Sequence, residues 1–196
     1  MTQRIAITGI GAISAYGLGV DAVYGAVCDG RPYDQQVDDA QPGSDFQKCP
    51  DINLQRALNF RSLGRYRKIA QYTIASIQEA VDQAKSSGDQ LDLGTVAISY
   101  GTSNGPASAT QEIYDDLLVS GAGSVKPRVF QESVFNSPAS LASILFKFTG
   151  PISVTPNSLC AGPYALLQGQ MFLANPHVDA VVVVCSEEAC DAVQRA

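Results

Sequence analysis

A chain of 196 residues that is 45% hydrophobic and 16% charged carries enough apolar material to bury a core, and it reads as one soluble globular domain, neither disordered nor fibrous. Its formal net charge of -6 argues against nucleic acid as a partner, because phosphate binding draws on a basic surface that releases counterions. The longest purely apolar run, Ala180 to Cys185, is far too short to cross a bilayer, and the polar Met1-Thr2-Gln3-Arg4 start has no signal-peptide h-region, so no membrane and a cytoplasmic location are expected.

In chain order, Arg4-Ile5-Ala6-Ile7-Thr8-Gly9 is a β-branched run stopped by glycine, which predicts a first strand. Gly9-Ile10-Gly11 then invites a dinucleotide-binding reading. Ser14 replaces the third glycine of that fingerprint, however, and no acidic residue closes a second strand about twenty positions on, so no cofactor is expected. Asp34 to Asn53, rich in Asp, Gln, Pro and Gly without periodicity, predicts a surface excursion. Tyr66 to Val81 repeats apolar residues at three- and four-residue spacing, which predicts an amphipathic helix closed by Ser86-Ser87-Gly88-Asp89.

Thr95 to Gly101 predicts a second strand, followed by a tight turn at Gly101-Thr102-Ser103-Asn104-Gly105 that lacks the lysine of a phosphate loop. Ile152 to Thr155 predicts a third. Gly162 to Ala174 reads as a helix apolar almost all round, hence buried, and Asn175-Pro176 stops it. Val178 to Cys185, apolar on both faces, predicts a central strand in a covered sheet. The alternation predicts an α/β fold with the sheet between helices, in a single domain over residues 1–196. The five cysteines, Cys28, Cys49, Cys160, Cys185 and Cys190, form no CxxC pair. They fit neither a disulfide framework nor a zinc site, so no metal and mostly buried free thiols are expected.

The ordered set of segments resembles the β-ketoacyl-ACP synthase family. Arg4 to Ser14 is similar to its opening R-V-V-I-T-G-x-G-x-V-S, with Gly17 where the family continues P-L-G. Ser62-Leu63-Gly64-Arg65-Tyr66 and the Ala-rich helix after it resemble the first long helix, and Val96 to Thr102 the strand that ends in G-T. Asn136-Ser137-Pro138-Ala139-Ser140 through Phe148-Thr149-Gly150-Pro151 looks like N-x-x-A-[GS] followed by G-L-x-G-P. The resemblance implies a thiolase-like fold, N-terminal half only: a βαβαβ-type mixed sheet covered by helices, in a chain about half the length of a full synthase. A lone half exposes apolar surface, which is expected to meet a partner.

The family sets its nucleophile in G-P-x-x-x-x-x-T-A-C-A-[ST]-[GS]-x-x-A-[IL]. A gapless count forward from Pro151 puts Leu159 on the cysteine. Gly162, Ala165-Leu166, Asp179 to Val182 and Glu187 keep the same register, so Cys160 falls one residue late. The family's cysteine occupies a strand-to-helix elbow, where the helix N-terminus favours thiolate and backbone N–H groups receive an oxyanion. One further residue turns a side chain by about 100°. The family's histidines come from its C-terminal half, and the single histidine here, His177, lies in the turn after a helix.

The resemblance therefore implies a chain-length-factor-like subunit without catalytic residues of its own. Its partners would be a full-length ketosynthase, as a heterodimer, and acyl-carrier protein. The setting would be type II fatty-acid or polyketide synthesis, with aryl polyenes as one case. Interface or acyl-tunnel candidates are Val129, Phe130, Phe135, Val154, Pro156, Asn157 and Leu159; core packing competes for Val129, Phe130 and Phe135. The alternative is an active synthase or acyltransferase subunit with Cys160 as nucleophile and histidines from a partner, and a third reading is a degenerate structural domain.

Overall fold

A computed structural model describes residues 4–30, 49–50, 52–58, 60, 62–86, 92–190 and 193. Most of the expected excursion, residues 34–48 and 51, lies outside the described residues, as does the stop signal after Ser86. The elements run β1 (Ile13–Ser14), β2 (Gly17–Leu18), α1 (Val20–Cys28), α2 (Leu54–Ala57), α3 (Lys68–Ser86), β3 (Val96–Thr102), α4 (Ala107–Ser120), α5 (Pro127–Glu132), α6 (Ser137–Phe146), β4 (Ile152–Pro156), α7 (Ala161–Phe172) and β5 (Ala180–Cys185).

Among the described residues, three parallel strands form the sheet in the order β4-β3-β5, with Ile98 opposite Ile152 and Val96 opposite Ala180. β1 and β2 form a separate antiparallel ladder of two residues each. The α/β architecture expected from the sequence is thus present, and β3 rather than β5 is its central strand. The run Val178 to Cys185 was expected at the centre because both its faces are apolar. Among the described residues it lies at an edge, because there β3 alone has a strand on each side.

β3 alternates large and small side chains, and that alternation sorts the helices onto two faces. Val96, Ile98 and Tyr100 join Ile77 and Val81 of α3, Ala139 and Ala142 of α6, and Phe148 in the main core. Toward the other face, the Ser99 hydroxyl donates to the Ala165 carbonyl of α7 at 2.7 Å. A Cβ on Gly169 would lie 2.7 Å from Val183 Cγ2 and 3.8 Å from Ser99 Cβ, so this face is built for close helix approach. Ala161, Ala165 and Gly169, spaced four apart, are the buried residues of α7. A second cluster gathers Leu54, Leu63, Ile74 and Ala75 under the 49–66 region.

The helix α7 is not buried as its composition predicts. Leu166, Leu167 and Met171 are each more than half exposed, because no described element covers their side.

The first predicted strand, Arg4 to Gly9, joins no ladder among the described residues. α3 holds this segment instead. Gln83 Oε1 accepts from the Ile10 N–H at 2.6 Å, and Glu79 accepts from the Ala12 and Val20 N–H groups at 2.8 Å each. A Cβ at Gly9 or Gly11 would collide with the Ala80 or Ser76 carbonyl oxygen of that helix. Backbone approach, not phosphate binding, accounts for the G-x-G pair.

Candidate functional site

The strand-to-helix elbow lies between β4 and α7. After Pro156 the chain leaves the sheet through Asn157, then takes a 3-10 turn over Ser158 to Cys160 that leads straight into the helix. Ser158 is in the left-handed region at φ 43, a conformation that costs a non-glycine residue on the order of 1 kcal/mol or more. Two bonds hold it. The Ser103 hydroxyl donates to the Ser158 carbonyl at 2.8 Å, and the Cys160 N–H donates to the Asn157 carbonyl at 3.0 Å. Leu159, at the middle of this turn, is 96% exposed. Cys160 follows as the N-cap residue of α7, with its side chain also exposed.

Ser103 is itself anchored by the segment that follows β5. Glu187 accepts from the Thr102 hydroxyl at 2.9 Å, from the Asn104 N–H at 3.1 Å and from the Ser103 N–H. Glu188, buried, accepts from the Ser108 N–H at 2.8 Å near the start of α4 and from the Ile69 N–H at 3.4 Å near the start of α3. A carboxylate there satisfies amides that a helix leaves unpaired and complements both positive helix ends. Before them, Ser186 Oγ lies 2.9 Å from the Tyr100 hydroxyl and 2.7 Å from Thr73 Oγ1. Burial pushes the Tyr100 phenol up to about 12, against the lowering effect of its hydroxyl partners. Three consecutive residues thus tie the sheet end to α3, to α4 and to the elbow loop. Of the three, sequence reasoning used only Glu187, and only as a register mark. The signal was a polar triplet directly after an apolar strand.

The candidate residues fall into two groups. Leu159, Asn157 and Pro156 are exposed at the elbow. Phe135, less than half exposed, packs its ring where a Cβ on Gly105 would sit, which places it beside the loop that anchors the elbow. Val154 packs against the main core from β4. Val129 is buried in α5 and Phe130 is exposed. His177 lies beyond the far end of α7, which at 12 residues spans about 18 Å.

The cysteines were expected to be mostly buried, but Cys28, Cys160 and Cys185 are exposed and Cys49 and Cys190 partly so, all as free thiols. The reason is local: Cys160 and Cys185 sit at the elbow and at a sheet end rather than in the core. Although the Cys185 residue is exposed at the sheet end, desolvation of its thiol by the surrounding chain raises it despite its bond to the Gly101 backbone, which weakens it as a nucleophile. Among the described residues no group of three or more His, Cys, Asp or Glu side chains is placed to hold a metal, and no helix is long and apolar enough to cross a membrane. What the elbow presents at its apex is an aliphatic side chain, with a thiol one residue on.

Residues 2–196 match the family described as Beta-ketoacyl synthase, N-terminal domain. A 3-oxoacyl-[acyl-carrier-protein] synthase 2 of Coxiella burnetii is 20% identical over 95% of this chain and 46% of its own length. The chain spans about half the length of the curated relatives it matches. Among solved structures, a type II PKS acyl-carrier protein in complex with its ketosynthase superposes with TM-score 0.82 at 20% identity, over 100% of this chain and 55% of that one. The ishigamide ketosynthase/chain length factor gives TM-score 0.80 at 16% identity, over 95% and 53% of the two chains.

Proposed function

This chain belongs to the β-ketoacyl synthase family through its N-terminal domain, and from that premise we propose that it serves as a chain-length-factor-like, non-catalytic subunit of a type II fatty-acid or polyketide system in the cytoplasm. The observation that carries this reading is Leu159. A side chain with no lone pair to attack and no proton to transfer stands at the apex of the corner where a nucleophile would project. Its 96% exposure makes it a ready anchor for a partner, since covering a leucine is worth about 1.5–3 kcal/mol.

The partner is a full-length ketosynthase, which accepts its substrates from acyl-carrier protein. β4 pairs only with β3, so its outer edge is open among the described residues and offers a row of backbone donors and acceptors to a second subunit. Exposed Phe130 and Phe135 and the stretch Val154 to Leu159 then border the shared acyl tunnel. The solved ketosynthase/chain length factor structures of the same fold support the assignment by analogy. Co-expression with a type II ketosynthase tests it: co-purification as a heterodimer and an altered product chain length are expected. A chain that stays separate and leaves product length unchanged overturns the proposal.

A second reading has its own support, the exposed thiol of Cys160 at the start of α7. In that case the subunit is an active acyltransferase with histidines from its partner. Acylation of Cys160 by acyl-carrier protein, together with loss of product in Cys160→Ala, would select it. The leading proposal expects neither.

A further inference from the structure

The short helix α5 is held in place more by charge than by apolar burial. Of its six residues only Val129 is buried, and Phe130 is 61% exposed. Five charged side chains supply the hold that packing supplies elsewhere. Arg67, just before α3, donates to Glu112 of α4 and its Nε lies 3.4 Å from a carboxylate oxygen of Glu132 in α5. Lys126 Nζ reaches the other Glu112 oxygen at 3.2 Å, Arg128 Nε reaches the other Glu132 oxygen at 3.1 Å, and the Arg128 guanidinium also donates to the Arg65 carbonyl. Every oxygen of the two carboxylates thus faces a cation. The side chains of Arg67 and Glu132 are only 25% and 14% exposed, so their pairing is screened less than that of an open surface pair. The Arg67 guanidinium holds the Glu112 carboxyl below the usual carboxylate range.

We infer that residues 125–135 form a charge-latched strap, in which Arg67 is the positioning residue that holds α5 down and whose pairs, when broken, let the strap lift as one piece. The two ends are pinned independently of the latch. Before the strap, the Ser124 hydroxyl donates to the Asp116 carbonyl of α4 at 2.9 Å; after it, the Asn136 carbonyl accepts from the Ser140 N–H of α6 at 2.8 Å. The strap's own backbone bonds are local, from the Val129 and Phe130 N–H groups to the Lys126 carbonyl and from the Ser133 N–H to the Phe130 carbonyl, so they do not tie it to its neighbours. A unit with one buried apolar side chain and several ion pairs to its surroundings belongs to the least stable part of a fold and opens without global unfolding. It also carries Phe130 and Phe135, and the Phe135 ring packs against Gly105 in the loop that anchors the elbow. Lifting the strap therefore moves two aromatic side chains near that elbow. That this movement changes an acyl tunnel rests on the function proposed above, whereas the latch itself is made of pairs within this chain and does not.

The test is amide hydrogen exchange on the 196-residue protein in about 0.1 M and about 1 M sodium chloride, a range over which the screening length falls from about 10 to about 3 Å. The Val129, Phe130 and Ser133 amides should exchange roughly fivefold faster or more at the higher salt, the ratio expected if about 1 kcal/mol of pairing is lost. Amides of Ala142 in α6 and Ile98 in β3 should change little. Arg67→Met should show the fast strap rates already at low salt, with little further response, and Arg67→Lys, which keeps the charge, should stay closer to the unaltered protein. If Arg67→Met fails to fold, Glu132→Gln gives the same readout. Three results would overturn the inference: strap amides that ignore salt, a strap that opens only together with α6, or Arg67→Met exchanging like the unaltered protein at low salt. Failure of the co-expression test above would leave these rates untouched, so the two readings fail separately.

Discussion

β3 and α7 pack directly on each other and are both apolar, yet they meet water in opposite ways. All seven residues of β3 are buried, whereas α7 buries only Ala161, Ala165 and Gly169 and leaves Tyr164, Leu166, Leu167 and Met171 exposed by 51–67%. Apolar composition marks both as elements to be covered. The chain itself supplies the cover for β3, through α3 and α6 on one side and α7 on the other. For the outer side of α7 the described residues supply none. Surface that a sequence encodes as interior but the described residues leave outside calls for cover from elsewhere.

The contrast can be broken by substitution. Ile98→Ala empties a site that is fully buried and should destabilise the protein by about 2–5 kcal/mol in urea denaturation. Equal loss for Leu166→Ala would sink the distinction, because an exposed α7 residue should change stability by no more than about 0.5 kcal/mol.

Alkaline titration probes the same buried side. The folded Tyr100 phenol is raised to about 12 from an ordinary 10, so the unfolded chain releases that proton first. The stability is fully present below pH 10 and is lost as pH rises toward 12, by roughly 2–3 kcal/mol. Tyr100→Phe should remove this alkaline limb while lowering stability at neutral pH by about 1 kcal/mol, the worth of its bond to Ser186.

The seam between the two regions should respond less. Gly169→Ala places a Cβ 2.7 Å from Val183 Cγ2. The crowding outweighs the gain in helix propensity, for a net loss of about 1 kcal/mol. The smallest effect sharpens the comparison most. Leu166→Glu with Met171→Glu should leave the isolated chain's melting temperature nearly unchanged while abolishing co-purification with the proposed ketosynthase partner. Retained co-purification would show that the outer face of α7 is not where the partner sits.

Much of this was legible in the sequence for a definite reason. β3, β4, α3 and α7 each carry a local hydrophobic period or a bounded β-branched run, and each begins and ends within one or two residues of expectation. Strand order was not legible: apolar content on both faces says that β5 is covered, not that β3 sits between it and β4. The run Arg4 to Gly9 has strand composition but joins no ladder among the described residues; the chain just after it, at Ile10 and Ala12, is bonded to side chains of α3 some seventy residues away. At the elbow, a gapless count singled out Leu159 because it needs only local spacing. The Ser103 bond to Ser158 and the Ser186 to Glu188 anchors escaped, since each joins segments 55 or more residues apart.

The alternation along β3 also bears on tolerance to error. Val96, Ile98 and Tyr100 address one helix layer, and Ala97, Ser99 and Gly101 the other. Replacing one of them leaves the remaining addresses readable. Inserting or deleting a single residue between Val96 and Thr102 exchanges every downstream address at once, driving a tyrosine toward the face where a Cβ on Gly101 would already lie 2.7 Å from the Ala161 carbonyl oxygen. Changes of length inside this strand should therefore be far rarer among natural variants than changes of identity, while the α4 to α5 connection, where Gly121 and Gly123 have open space around them, should accept both.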